Sequence, residues 1–502
     1  MARLRRTGAV LALALVARAA AAQFVQQGGK LVGTGAVGTA NQGDKVAISA
    51  DGSTVILGGP NDDAVAGAAW VFTRSGGAWL QQGAKLVAAG SIGAARVGSS
   101  VALSEDGDTA IVGGEYDNAY TGAAWVFTRS AEAWSQQGGK LVGSGAVGAA
   151  FQGVSAALSA DGNTAVIGGP EDDSGTGAAW VFTRGGGVWS QQGAKLVGTG
   201  SVGGSAQGWS VALSADGSTA VVGAPGDDSR TGAAWVFTRT GDAWSQQGEK
   251  LVGAGAVGPA QQGVGVAISA DGGTIVVGGN ADDGAVGAAW VFARGDGAWT
   301  QQGGKLVGAV AAGAGRQGVS AALSADGNTA IVGGWEDDSG VGAAWVYARA
   351  SGVWHQVGGK LVGADRVGAG GEGISVAISA GGDTAVVGGW ADDSAVGASW
   401  VWVCAAPSIT AQPQGRSLRR GESAVLSVTA TGAAPLSYQW YRGGAGDTST
   451  PVGTGSDTLT TPPLAATASY WVRVANACGA ADSAAATVTV GPGVRRHLRV
   501  SP

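Results

Sequence analysis

The feature that most constrains this chain is a short motif, Ala-[Ala/Ser]-Trp, which places tryptophan at 70, 125, 180, 235, 290, 345 and 400. Every step is 55 residues, with no insertion or deletion. Glycine recurs in the same phase at 58, 113, 168, 223, 278, 333 and 388, and again at 67, 122, 177, 232, 287, 342 and 397. Self-similarity at a fixed period means that one supersecondary unit is copied and stacked. The 95 glycines are therefore punctuation in a folded array rather than low complexity.

One repeat reads as four short strands. In the third repeat they are Val154–Ser159, Thr164–Gly168, Ala178–Arg184 and Trp189–Val197. Asp161-Gly162 joins the first two as a hairpin turn, and a Gly- and Asp-rich loop, Gly169–Gly177, leads to the third. Four strands in a unit of this length describe a propeller blade rather than a solenoid coil. The third strand, Ala-Ala-Trp-Val-Phe, barely alternates, as expected where neighbouring blades cover both faces. The thirteen tryptophans repeated at this spacing are expected in the core.

The ends of the array predict how it closes. Six repeats finish in Trp-x-Gln-Gln-Gly-x-Lys-Leu-Val or a close variant, and this strand is missing after Trp400. It occurs instead as Phe24–Val32, with Phe24 in phase with Trp79. The N-terminal strand is thus expected to complete the last blade, which removes the open ends of the stack. The predicted fold class is all-β: a seven-bladed propeller over residues 23–403. Asp occupies 51, 106, 161, 216, 271 and 326, and Arg occupies 74, 129, 184, 239, 294 and 349; repeat seven loses both, to Gly381 and Cys404. This covariation within the chain predicts Asp–Arg pairs such as Asp161–Arg184 on one face of the disc.

Segments such as Gly208–Gly217, followed by Val221-Val222-Gly223-Ala224-Pro225 and Gly232–Phe237, resemble the FG-GAP repeats of integrin α-chain propellers, in their bacterial secreted form. The resemblance spans 23–403 and implies extracellular recognition or adhesion. Calcium-binding members carry D-x-[DN]-x-[DN]-G-x-x-D, whereas Ser159–Thr164 offers one carboxylate. Calcium takes about six to eight oxygens, so no metal is expected, and no cofactor.

Three arginines, the apolar run Ala9–Ala17 and Ala20–Ala22 read as a secretory signal peptide over 1–22. Residues 404–490 resemble an immunoglobulin-like domain, with Trp440 as its core tryptophan, Tyr470 as a tyrosine corner, and Leu426 and Val472 where antibody domains place cysteines. The only two cysteines, Cys404 and Cys478, are expected to pair in an exported chain. The tail 491–502, with His497, reads as a flexible end.

Net charge is −6 and basic residues are scattered, which argues against nucleic acid or an anionic membrane as partner. No segment is long and apolar enough to span a bilayer. The two histidines, His355 and His497, build no catalytic arrangement by spacing, and no enzyme is expected. Asp62, Asp117, Asp172, Asp227, Asp282, Asp337 and Asp392 recur in all seven repeats. They either ring a face and attract a cation, or hydrogen-bond their own loops, and uniform repetition favours the structural role. Blade-to-blade differences point to function instead. One position reads Pro60, Glu115, Pro170, Pro225, Asn280, Trp335, Trp390, and another Asn41, Arg96, Phe151, Ala206, Gln261, Arg316, Gly371. Both belong to the face opposite the Asp turns. Trp335, Trp390, Trp209, Phe151 and Arg316 are the candidate ligand contacts. The expected function is a secreted or cell-surface binding protein for a glycan or protein. The alternatives are a polysaccharide-acting enzyme using Glu115, Glu171, Glu336 or Glu372, and a structural surface component.

Overall fold

A computed structural model describes residues 24–432, 436–476 and 478–491; the leader 1–22 and His497 lie outside them. Seven four-stranded antiparallel sheets account for residues 24 to 404. In blade 3 the strands run Ser155–Leu158 (inner), Thr164–Gly169 (second), Ala178–Gly185 (third) and Val188–Gln191 (outer). The hairpin between the first two is closed by side chains. Asp161 Oδ1 accepts from Ser159 Oγ at 2.5 Å and from the Asn163 N–H at 2.9 Å, and Ser159 Oγ accepts from the Thr164 N–H at 2.9 Å. Gly162 supplies the positive φ of +65° that the turn requires. The outer strand is shorter than its apolar pattern predicts. After Gln191 the chain leaves the sheet, and Leu196 rejoins it through one bridge to Ala179.

The second and third strands form the interior. Val166, Trp180 and Val181 are fully buried, and each cluster of buried side chains draws on two or more consecutive blades, as in Ile56, Val71, Val112 and Trp125. Each core tryptophan lies against the chain that enters its blade. A Cβ at Gly143 would stand 2.1 Å from Trp180 Cδ1. In six blades glycine lets the backbone pass close to the ring, and only blade 2 carries alanine there, Ala88, packed in one cluster with Trp125.

Closure follows the predicted route. Phe24, Val25 and Gln26 pair with Cys404, Val403 and Trp402, and Phe24 is buried. Gln27 then serves blade 1 as Gln137 serves blade 3, accepting from Trp79 Nε1 at 3.0 Å where Gln137 accepts from Trp189 Nε1 at 3.1 Å. At the hairpin end, backbone bonds link the turns in one direction, Ala50 N to Glu105 O, Glu105 N to Ala160 O, and onward until Ala380 N returns to Ala50 O. Seven such bonds of 2.9–3.1 Å form a closed circuit.

Three expectations need correction. The six outer-strand tryptophans, such as Trp189, are half-buried rather than core; each lies under an arginine, with Arg184 Cζ 5.4 Å from the Trp189 ring centre. Among the described residues Asp161 and Arg184 form no ion pair. The carboxylate is already used by its own turn, and Arg184 stands beside Asn163, donating from Nε to Asn163 Oδ1 at 2.9 Å. In blade 2 the same register gives Arg129–Asp108 at 2.6 Å. Cys404 is the last residue of the third strand of blade 7, so the propeller unit runs Phe24–Ala405.

The second unit begins at Ala406. Its largest sheet contains Ser437–Arg442, Ala468–Asn476 and Ala486–Gly491, together with Arg416–Arg419, Pro451–Thr454 and Gly479–Asp482. Leu426, Trp440, Tyr470 and Val472 meet in one buried cluster, so apolar packing occupies the place of the missing inter-sheet disulfide. Cys404 and Cys478 are disulfide-bonded. Among the described residues no helix is long and apolar enough to cross a membrane.

Candidate ligand-binding face

In every blade the inner strand begins, and the second strand ends, on the face opposite the Ser-x-Asp-Gly hairpins. The variable residues fall on this loop face, where backbone bonds such as Arg96 N to Val65 O and Phe151 N to Tyr120 O tie each blade to the one before it and leave the side chains to differ. Residue 41 and its equivalents all have positive φ, for example Asn41 at 55°, Arg96 at 57°, Phe151 at 55° and Arg316 at 52°. The backbone fixes where each side chain starts, and only its chemistry differs between blades.

Trp335 and Trp390 meet edge to face on adjacent blades, with ring centres 6.5 Å apart. They line a cavity of 270 Å³ with Asn41, Asn61 and Arg96. Both rings are half-buried. Asn41 steadies the pair, donating from Nδ2 to the Trp390 carbonyl at 3.0 Å. Phe151 joins a different group: it stacks on Tyr120 at 5.2 Å and meets Tyr116 edge-on at 5.9 Å. Arg96 lies over Tyr116 at 4.9 Å and so connects this group to the tryptophan cavity. Arg316 is engaged by Glu336 at 2.7 Å. Trp209 stands apart from both groups, 44 % exposed, in the wall of the central channel.

That channel has a volume of 460 Å³ at the loop end. Val154, Val264, Val319 and Ile374 make much of its wall apolar, and blades 1 and 2 contribute Asp44, Lys45, Arg96, Ser99 and Glu115. Two ion pairs balance the charge, Lys45–Asp44 at 3.1 Å and Arg96–Glu115 at 3.5 Å. Burial pushes the Glu115 carboxyl above the usual range, and Ser99 and Arg96 offset only part of the effect.

The first aspartate of each repeated acidic loop proves to be internal. Asp172 is 1 % exposed; its Oδ1 accepts from the Val147 N–H at 2.7 Å, and its Oδ2 meets Lys195 Nζ. Asp62, Asp117, Asp227, Asp282 and Asp337 repeat this with Lys85, Lys140, Lys250, Lys305 and Lys360, and Asp392 does so with Lys30. Each carboxylate thus holds a preceding loop and its own ammonium, instead of its own loop or a free cation. The next residue, Asp173 in blade 3, carries φ of 48° in a left-handed turn that short polar side chains tolerate.

Of the remaining acids, Glu171 is exposed and Glu336 holds Arg316. Glu372 is fully buried, accepts from the Gly363 N–H at 2.6 Å, and is pushed up to about 8 by burial. His355 is an exposed residue of an outer strand. Tyr116, Tyr120, Asn280 and the lysine ring were not singled out from sequence. The lysines carried a signal, since each sits in the repeated Gln-Gln-Gly-x-Lys-Leu-Val segment.

Residues 189–237 match the family described as FG-GAP repeat, and residues 405–492 match the family described as Ig-like domain, CHU_C associated. No curated protein matches this chain. Among solved structures, hydrazine synthase of Kuenenia stuttgartiensis is 11% identical over 72% of this chain and 96% of its own, with a TM-score of 0.44. The periplasmic gluconolactonase of Pseudomonas aeruginosa is 19% identical over 64% and 85%, at 0.41. The GH74 xyloglucanase of Xanthomonas campestris is 12% identical over 92% and 75%, at 0.43. The chain is a seven-bladed β-propeller, one segment of which matches the FG-GAP repeat, followed by an immunoglobulin-like domain.

Proposed function

We propose that this chain is a secreted or cell-surface binding protein whose propeller recognises a glycan with its loop face. The observation that carries the reading is the distribution of aromatic side chains. Trp335, Trp390, Tyr116, Tyr120, Phe151 and Trp209 all lie on that face, at positions where most other blades carry Pro, Ala, Val or other small or polar residues. Flat rings with one exposed side match the apolar face of a sugar, and their polar edges accommodate its hydroxyls. The leader-like N-terminus and the Cys404–Cys478 disulfide fit an oxidising, extracellular location. The immunoglobulin-like domain serves as spacer or second contact.

The use of two of the four candidate acids supports binding over catalysis. Glu336 is held by Arg316, and Glu372 is buried behind Gly363. A glycan array tests the reading with the wild type and a Trp335→Pro/Trp390→Pro variant, which installs the residue of blades 1, 3 and 4. Retention of a defined oligosaccharide without product release, weakened at least about tenfold by the double change, is the expected result. Absence of any glycan signal, or one indifferent to both tryptophans, overturns it.

A further inference from the structure

The loop-end channel holds a set of polar atoms that the fold itself leaves unsatisfied. Asn280 Oδ1 has no hydrogen-bond partner among the described residues, and Glu115 Oε2 and Ser99 Oγ have none of normal geometry, Ser99 only standing close enough to ease the Glu115 carboxylate. Their side chains belong to residues only 7 %, 8 % and 5 % exposed, and all three line the same 460 Å³ channel. Burying such atoms without partners costs roughly 1–3 kcal/mol each, which a fold without a use for them avoids. The repeats show how easily it is avoided. At the position of Glu115 and Asn280, blades 1, 3 and 4 carry proline, and at the position of Ser99 and Trp209, blades 3, 5 and 6 carry valine.

We propose that this channel mouth seats a single neutral sugar unit, the end of the glycan that the loop face binds. The volume lies within the roughly 300–1,000 Å³ of small-molecule sites. Its charges are internally paired, Lys45 with Asp44 and Arg96 with Glu115, so the pocket offers no net charge to an anion or a cation. Two of the unmet groups are acceptors, Asn280 Oδ1 and Glu115 Oε2, and Ser99 Oγ either donates or accepts. Hydroxyl groups satisfy all of them, because each hydroxyl donates once and accepts twice. Trp209 supplies an apolar surface in the same wall, continued by Val154, Val264, Val319 and Ile374. Arg96 lines both this channel and the Trp335–Trp390 cavity, so one oligosaccharide can run from the aromatic rim into the mouth.

The inference rests on the glycan reading of the loop face, and the repeats provide variants that separate the two. Trp209→Val and Asn280→Pro each install a residue that three other blades already carry, so the blades are expected to fold and melt as the wild type does. Saturation-transfer NMR and calorimetry with neutral mono- and disaccharides, and with glucuronate and glucosamine as charged counterparts, provide the readout. Expected are binding of a neutral sugar, a loss of about tenfold or more with either channel variant, and weaker binding of the charged sugars. If oligosaccharide binding depends on Trp335 and Trp390 but ignores both channel variants, the channel assignment falls while the face reading stands. Preference for a charged sugar also overturns it, and failure to bind any saccharide removes both readings.

Discussion

Blades 3 and 7 have the same four-stranded plan but are assembled differently. Blade 3 is local, built wholly from residues 155–191, whereas blade 7 joins Glu372–Cys404 to Phe24–Gln26. In blade 3 the core Trp180 donates from Nε1 to the Ser144 carbonyl at 2.8 Å. In blade 7 Trp400 donates instead to the Asp365 carboxylate at 2.8 Å, which also accepts from the Lys30 N–H at 2.8 Å and from Gln26 Nε2 at 3.0 Å. In blade 3 Gln152 both accepts from the Gly143 N–H and donates to its carbonyl. Blade 7 has Glu372 there, which only accepts, and Arg366 reaches the Gly363 carbonyl at 3.2 Å. At these two points blade 3 uses neutral carbonyl and amide groups where the seam uses the carboxyl groups of Asp365 and Glu372, which makes the seam sensitive to pH. Burial tends to raise the Asp365 carboxyl, but the Lys30 N–H, Gln26 and Trp400 outweigh it and hold it below the ordinary value. That contribution is lost as pH falls below about 4.

The comparison breaks most sharply if the seam is removed. Deleting residues 24–32 exposes the third strand of blade 7 and is expected to abolish the cooperative thermal transition and promote association. Circular dichroism and size-exclusion chromatography check this, and a monomer melting like the wild type refutes the seam. Next, Lys30→Met and Lys195→Met each strand a buried aspartate, Asp392 or Asp172, and are expected to cost about 2–3 kcal/mol in denaturant unfolding. Hydrogen exchange sharpens the contrast: only Lys30→Met is expected to speed exchange at Val25–Gln27. Smallest, Glu372→Gln restores the blade 3 solution. A carboxyl raised to about 8 binds its proton in the folded state and releases it in the unfolded one. Wild-type stability therefore declines as pH rises from about 4.5 to 8 and levels off above. The variant is expected to flatten that slope and gain about 1–3 kcal/mol at pH 8.

The architecture was legible because its signals are strictly periodic. The transplanted Phe24–Val32 segment foretold closure, and Trp440 with Leu426 and Val472 foretold the second core. The Asp–Arg pairing failed by a two-residue offset: Asp161 and Arg184 share a face, but strand register puts Asn163 beside the arginine. The Asp–Lys pairs were missed because in six blades the partners lie 23 residues apart with two strands between them, as Asp172 and Lys195 do, and in the seventh they lie at opposite ends of the propeller sequence. On the loop face, comparison at two positions isolated Trp335 and Trp390 correctly as neighbours. It could not show that Tyr116 and Tyr120 gather around Phe151, or that Glu115 and Asn280 open onto one channel, since both depend on how blades tilt about the axis.

The circuit of backbone bonds through Ala50, Glu105 and Ala160 braces the hairpin end of the disc. A head-to-tail loop of this kind has no weakest terminal link; stretching one member strains the others, so that throat keeps its diameter. The opposite face is also tied blade to blade, by Arg96 N to Val65 O, Phe151 N to Tyr120 O and their equivalents, but the side chains it carries differ in size from blade to blade. With the backbone held at both ends, adjustment to an incoming guest falls to the side chains of the recognition end.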